Sequence, residues 1–272
     1  MSRLTSAMTW LAAAALTVAA VPTVVSAADA PNGYLRVCAD PNNLPYSNDR
    51  GEGFENKLAE MLAHDLGKDV VYTWHAERRG FIRETLNSFK CDVVMGIPAL
   101  DMLWTTRPYY RSTYVFVSRM ADNLTFSSID APELEHLKIG VHLIGDDGAN
   151  TPPAEVLGER HIVDNVVGYP IYGDYRQDSP PSKLIKDVEN GTIDIAAAWG
   201  PLAGYYAKKS PVPLRIVPIT DTMSYLPLVF QYSISMGVRR GDETMRDKLN
   251  EFIISHRDEI DGLLDSYGVP RS

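Results

Sequence analysis

The chain has 272 residues, 45% of them hydrophobic and 22% charged, with a formal net charge of −9. That length allows one large domain or two lobes, each of ordinary domain size. The acidic balance disfavours nucleic acid and anionic membrane as partners and leaves basic partners open.

The first residues read as a targeting segment. Arg3 is their only charge, an apolar run extends from Met8 to Val25, and Val25-Ser26-Ala27 sets small side chains where a signal peptidase cuts. The run is short for a membrane span and is interrupted by Thr17, Pro22 and Thr23. Residues 1–27 are therefore expected to be removed after Ala27, which places the mature chain in the periplasm.

Leu35 to Ala39 reads as a strand that breaks into a loop stiffened by Pro41 and Pro45, each of which fixes its own φ and pushes its predecessor towards extended geometry. The loop carries Asp40, Asn42, Asn43 and Tyr46 just past the carboxyl end of a strand, where open α/β sheets bind ligands. Phe54, Leu58, Met61, Leu62 and Leu66 then recur at helical spacing up to Gly67. Asp69 to Trp74 reads as a second strand, and Phe81, Ile82, Thr85, Leu86 and Phe89 as the buried face of a helix. Cys91 to Pro98 is a nearly continuous apolar run of the kind a strand buried on both faces requires.

The order then repeats. Leu137 to His142 echoes Leu35 to Asp40 and Asp194 to Pro201 echoes Asp92 to Pro98, with the same spacing in each half: 57 residues from Leu35 to Asp92 and 57 from Leu137 to Asp194. A helix over Leu184, Ile185 and Val188 that stops at Gly191 precedes the second copy, as the Phe81 helix precedes the first. Two similar α/β lobes with parallel sheets follow. Arg111 to Ser118 and Phe230 to Val238 read as two β crossings between them, and Asp242 to Tyr267 as a closing helix that covers lobe one. The expected division is 34–117 plus 234–272 for lobe one and 118–233 for lobe two, in a monomer, with an interlobe cleft as the site.

Two cysteines in an exported chain invite a disulfide. Register argues against it: Cys38 falls late in its strand and Cys91 early in the next, an offset of roughly 10 Å along a parallel sheet.

Thr105-Thr106-Arg107-Pro108-Tyr109-Tyr110 ahead of the first crossing, with the two-lobe order, resembles type II periplasmic solute-binding proteins. More narrowly, the chain resembles the MxaJ/XoxJ group in Leu35 to Pro45, in Gly51-Glu52-Gly53-Phe54-Glu55-Asn56-Lys57, in Arg78-Arg79-Gly80-Phe81, in Lys90 to Gly96 and in Arg107 to Phe116. The resemblance implies an accessory protein of periplasmic alcohol oxidation that helps to assemble or activate its partner, a PQQ-dependent methanol dehydrogenase. It implies no catalysis and no cofactor of its own.

Amino-acid-binding relatives grip the α-carboxylate with a Ser or Thr and an Arg after the third strand of lobe one, and the α-ammonium with an Asp after the matching strand of lobe two. Here those places read Gly96-Ile97-Pro98-Ala99-Leu100-Asp101-Met102-Leu103 and Trp199-Gly200-Pro201. A free amino acid would be desolvated there without ionic partners. The expected cleft residues are Asp40, Asn42, Asn43, Tyr46, Arg79, Phe81, Pro98, Tyr109 and Trp199, and the loop from Gly145 to Thr151 is a candidate anion cradle. Asp40 and its neighbours serve equally as an Asx-turn network that shapes the loop. The six histidines lack ligand spacing, so no metal is expected. A receptor for an ABC importer and a dehydratase-like enzyme using Asp40 or Glu55 stay open beside the accessory reading.

Overall fold

The computed structural model describes residues 33–144, 150–171 and 174–272; the expected signal segment and the core of the Gly145 to Thr151 loop lie outside the described residues. In β1 (Tyr34–Ala39), alternation sends Leu35, Val37 and Ala39 into one core and Cys38 into another on the opposite face. The following loop folds back on itself through a short antiparallel pair, β2 (Asn42–Asn43) and β3 (Ser47–Asn48).

It rests on the start of α1 (Phe54–Asp65), where Gly53 is required because a Cβ would come 1.9 Å from the carbonyl oxygen of Tyr46. The N–H groups of Phe54 and Glu55 donate to the carbonyls of Pro45 and Tyr46 at 2.8 and 2.9 Å. The loop itself thus occupies the donors that a helix start would offer to an anion. β4 (Asp69–Trp74), α2 (Phe81–Glu84), β5 (Val93–Ile97) and the short β6 (Trp104–Thr105) complete this part, with β1 parallel to both β4 and β5.

α2 is one turn long, shorter than its apolar spacing predicts. Lys90 N–H closes a turn onto Thr85 O, and Phe89 takes a left-handed φ of +61° that swings it to 65% exposure, with the Arg239 guanidinium 4.8 Å from its ring centroid. A cation over the ring holds Phe89 where the core was expected to.

The first crossing is β7 (Tyr110–Arg119). Lobe two runs β8 (Ile139–Leu143), α3 (Pro152–Glu159), β9 (Val166–Pro170), α4 (Lys183–Glu189), β10 (Ile195–Trp199), α5 (Gly200–Lys209) and β11 (Leu214–Pro218), and the return crossing is β12 (Gln231–Val238). The strand order is β4-β1-β5-β12-β7-β10-β8-β9; β7 and β12 pair with each other over Tyr110–Thr113 and Gln231–Ile234, and each continues into one lobe's sheet. The closing segment is two helices, α6 (Glu243–Ser255) and α7 (Arg257–Ser266), broken at His256, and Leu249, Phe252, Ile253, Ile260 and Leu264 from both pack on the lobe-one core.

The repeat extends to individual hydrogen bonds. Arg36 Nε donates to Asp92 and Lys138 N to Asp194, each across 56 residues. Each crossing strand delivers an arginine to the matching corner: Arg239 donates to the carbonyls of Leu86 and Cys91 and to Asp92, while Arg119 donates to the carbonyls of Val188 and Ile193 and lies 3.8 Å from Asp194.

Cys38 and Cys91 are bonded, with Cα atoms 5.5 Å apart, which corrects the expectation drawn from register. Cys38 does stand opposite Val94. But β5 begins only at Val93, and a bend at Asp92 turns Cys91 off the strand line to beneath Cys38.

Candidate functional site

The carboxyl ends of β1, β5, β8 and β10 and the middles of both crossings enclose a cavity of about 440 Å³. Of the nine expected residues, Asp40, Asn42, Asn43, Tyr46, Pro98 and Trp199 line it. Tyr109 does not: it is 0% exposed inside the lobe-one core. Phe81 is 4% exposed and packs behind the wall with Cys38, Cys91 and Leu103. Arg79 lies in a separate groove of about 690 Å³ with Arg78, Arg83, Leu100 and Met102. Two residues, Glu77 and Pro98, line both spaces and form the wall between them.

Asp40 is held by three hydrogen bonds to its side chain. It is 2% exposed; Oδ1 accepts the N–H of Asn42 at 2.8 Å, and Oδ2 accepts the N–H of Glu77 at 2.7 Å together with the hydroxyl of Tyr175. The first bond is the expected Asx turn and the last crosses the cleft. More bonds join the same two loops. Asn42 Nδ2 donates to the carbonyl of Gln177 at 2.7 Å, Ser179 N donates to Asn42 Oδ1 at 2.8 Å, and Ser179 Oγ donates to Leu44 O at 3.2 Å. The lobe-two segment from Asp174 to Ser182 thus closes over the lobe-one loop.

Glu77 stands half-buried beside Asp40, and its carboxyl accepts a long bond from Asn43 Nδ2 at 3.3 Å. Desolvation first, and then the charge of Asp40, raise its pKa to about 7. Glu55 lies behind it against Gly96, where a Cβ would come 2.0 Å from the carboxyl oxygen; burial, then Glu77 and Asp40, push it well above the carboxylate range. His142 is held neutral: burial lowers its pKa to about 4, and its Nε2 bonds the carbonyl of Pro181 at 3.1 Å.

The opposite wall is aromatic. Trp199 stands edge-on to Tyr114 and Tyr232, with centroids 5.3 and 5.7 Å apart. Among the described residues lining the cavity there is no Ser, Cys, Lys or Arg. No group of three His, Cys, Asp or Glu suited to a metal occurs among the described residues.

Sequence reasoning missed Glu77, Tyr114, His142, Tyr175 and Tyr232. A signal existed for Glu77 and His142, which stand at or just beyond the carboxyl ends of β4 and β8, the rule that pointed to Asp40. Tyr175 comes from an irregular loop and had none.

No protein-family model matches the chain. Protein MoxJ of Methylorubrum extorquens is 29% identical over 98% of this chain and 93% of its own length. The crystal structure of the periplasmic binding protein XoxJ from Methylobacterium extorquens AM1 superposes with a TM-score of 0.72 at 33% identity, covering 88% of this chain and 99% of that one. MxaJ from Methlophaga aminisulfidivorans gives 0.76 at 27% identity, covering 88% and 100%. With its two-lobed fold and full-length likeness to these proteins, the chain belongs to the MxaJ/XoxJ family of periplasmic binding-protein-like proteins.

Proposed function

We propose that the protein is a non-catalytic periplasmic accessory of PQQ-dependent alcohol oxidation, which assists the assembly or activation of a methanol dehydrogenase. The observation that carries this reading is the likeness to XoxJ and MxaJ over almost their entire lengths, together with the resemblance of its motifs to that group. The cavity supports it by what it lacks: with no Arg or Lys among the described residues of the lining, the carboxylate of a transported amino acid would meet no cation there. The test is affinity capture from periplasmic extract with the tagged mature chain, beside dehydrogenase activity in a strain lacking the protein. Recovery of a quinoprotein dehydrogenase and lowered activity in the deletion strain support the reading. Capture of no quinoprotein, with activity unchanged, overturns it.

One observation favours a second reading, a solute receptor. The enclosed volume lies within the range of small-molecule pockets, and the contacts from Asp174 to Ser182 close it as a receptor closes over ligand.

A further inference from the structure

We propose that the interlobe cavity binds a small organic ammonium ion, held between the carboxylates of Asp40 and Glu77 and the aromatic side chains of Tyr114, Trp199 and Tyr232. The inference rests on reading the cleft as a ligand site and is independent of any dehydrogenase partner.

Charge inventory is the first support. Among the described residues lining the cavity the acidic side chains are Asp40 and Glu77, His142 is neutral, and there is no Lys or Arg. An anion would meet like charge without a counter-ion, whereas a cation would relieve the pair. The bonding of the two acids is the second. Asp40 is fixed by three donors, so its orientation is set before ligand arrives. Glu77 has one long side-chain bond, and most of its acceptor capacity remains for a donor in the cavity.

The third support separates organic ammonium from metal. Rings facing two carboxylates suit a weakly hydrated cation, because cation–π attraction strengthens once water is excluded. A hard divalent ion would need six or more converging oxygens, several of them carboxylate, and no group of three His, Cys, Asp or Glu suited to a metal occurs among the described residues. Closure by the Tyr175 segment limits the guest to a small molecule.

The test uses the mature full chain at pH 8, where Glu77 is ionised, at constant ionic strength. The probes are choline and its uncharged isostere 3,3-dimethylbutan-1-ol, followed by titration calorimetry and thermal shift. Choline is expected to bind saturably and the isostere at least tenfold more weakly. Glu77→Gln and Trp199→Phe should each weaken choline severalfold or more, while Arg83→Ala, in the neighbouring groove, leaves it unchanged. Equal binding of both probes, no saturable choline binding up to 10 mM, or full affinity in both cavity variants overturns the proposal. Capture of the dehydrogenase is scored separately with Glu77→Gln, so failure of one reading is not mistaken for failure of the other.

Discussion

The hydroxyl of Tyr175 donates to the carboxylate of Asp40 across the cleft, joining residues 135 positions apart. Asp40 is fixed by its own lobe through the N–H groups of Asn42 and Glu77, so this bond adds little to lobe one and bears mainly on closure.

Tyr175→Phe removes that donor while keeping the ring under Arg78, whose guanidinium lies 5.0 Å from its centroid. A hydrogen bond to a charged acceptor contributes about 1.5–3 kcal/mol, enough to shift the closed-to-open ratio tenfold or more. Small-angle scattering should show a larger radius of gyration for the variant, with an unchanged far-ultraviolet spectrum. An identical scattering curve would show that the remaining bridges alone hold the lobes together.

The Cys38–Cys91 bond links residues separated by 53 positions, and loop-closure entropy for that span gives about 4 kcal/mol. Cys38→Ser with Cys91→Ser should lower the unfolding free energy by roughly 2–5 kcal/mol in denaturant titration. Reduction of the native chain should match the double variant, and a loss under about 1 kcal/mol would mean that the unfolded chain is already compact there.

Glu77 binds its proton more tightly folded than unfolded, because its pKa rises from the ordinary 4.5 to about 7. Between those values the native state keeps a proton that the unfolded chain has released, so stability falls as pH rises through this window and levels off above it. Allowing for partial exposure, the loss is roughly 2 kcal/mol. Glu77→Gln should therefore show a flatter stability profile from pH 5 to 8 than the parent. Parallel profiles would place the raised proton affinity elsewhere, with Glu55 the next candidate.

Gly53→Ala forces a Cβ towards the backbone of Tyr46 and Ser47, which cannot rotate away as a side chain could. A cost of about 2–4 kcal/mol is expected in thermal or chemical unfolding. Since the displaced loop carries Asn42, Asn43 and Tyr46, any cavity ligand should also bind the variant more weakly.

The sequence shows the lobes, crossings and first loop because each rests on local pattern. Continuous apolar runs mark β5 and β10, the 57-residue spacing shared by both halves marks the repeat, and two prolines mark the stiff loop. What it hides depends on departures from regular geometry. Phe89 has helical spacing but a left-handed backbone, and Cys91 has strand-like neighbours but sits past a bend. Tyr109 and Tyr110 look alike as aromatics before a crossing, yet both turn into the lobe-one core, whereas Tyr114, four residues on, lines the cavity. Tyr175 reaches the site through a long irregular excursion, so neither periodicity nor spacing points to it.

The two corner arginines limit how the molecule can move. Arg119 clamps the far end of one strap and Arg239 the far end of the other, so any swivel between the halves must be absorbed in the short span where Tyr110–Thr113 lies against Gln231–Ile234. Trp199, Tyr114 and Tyr232 sit at that span. Trp199 is strand-paired with Tyr114, so parting the halves shifts that indole against Tyr232 on the other strap, and the pivot doubles as a built-in optical gauge of whether the jaws are shut.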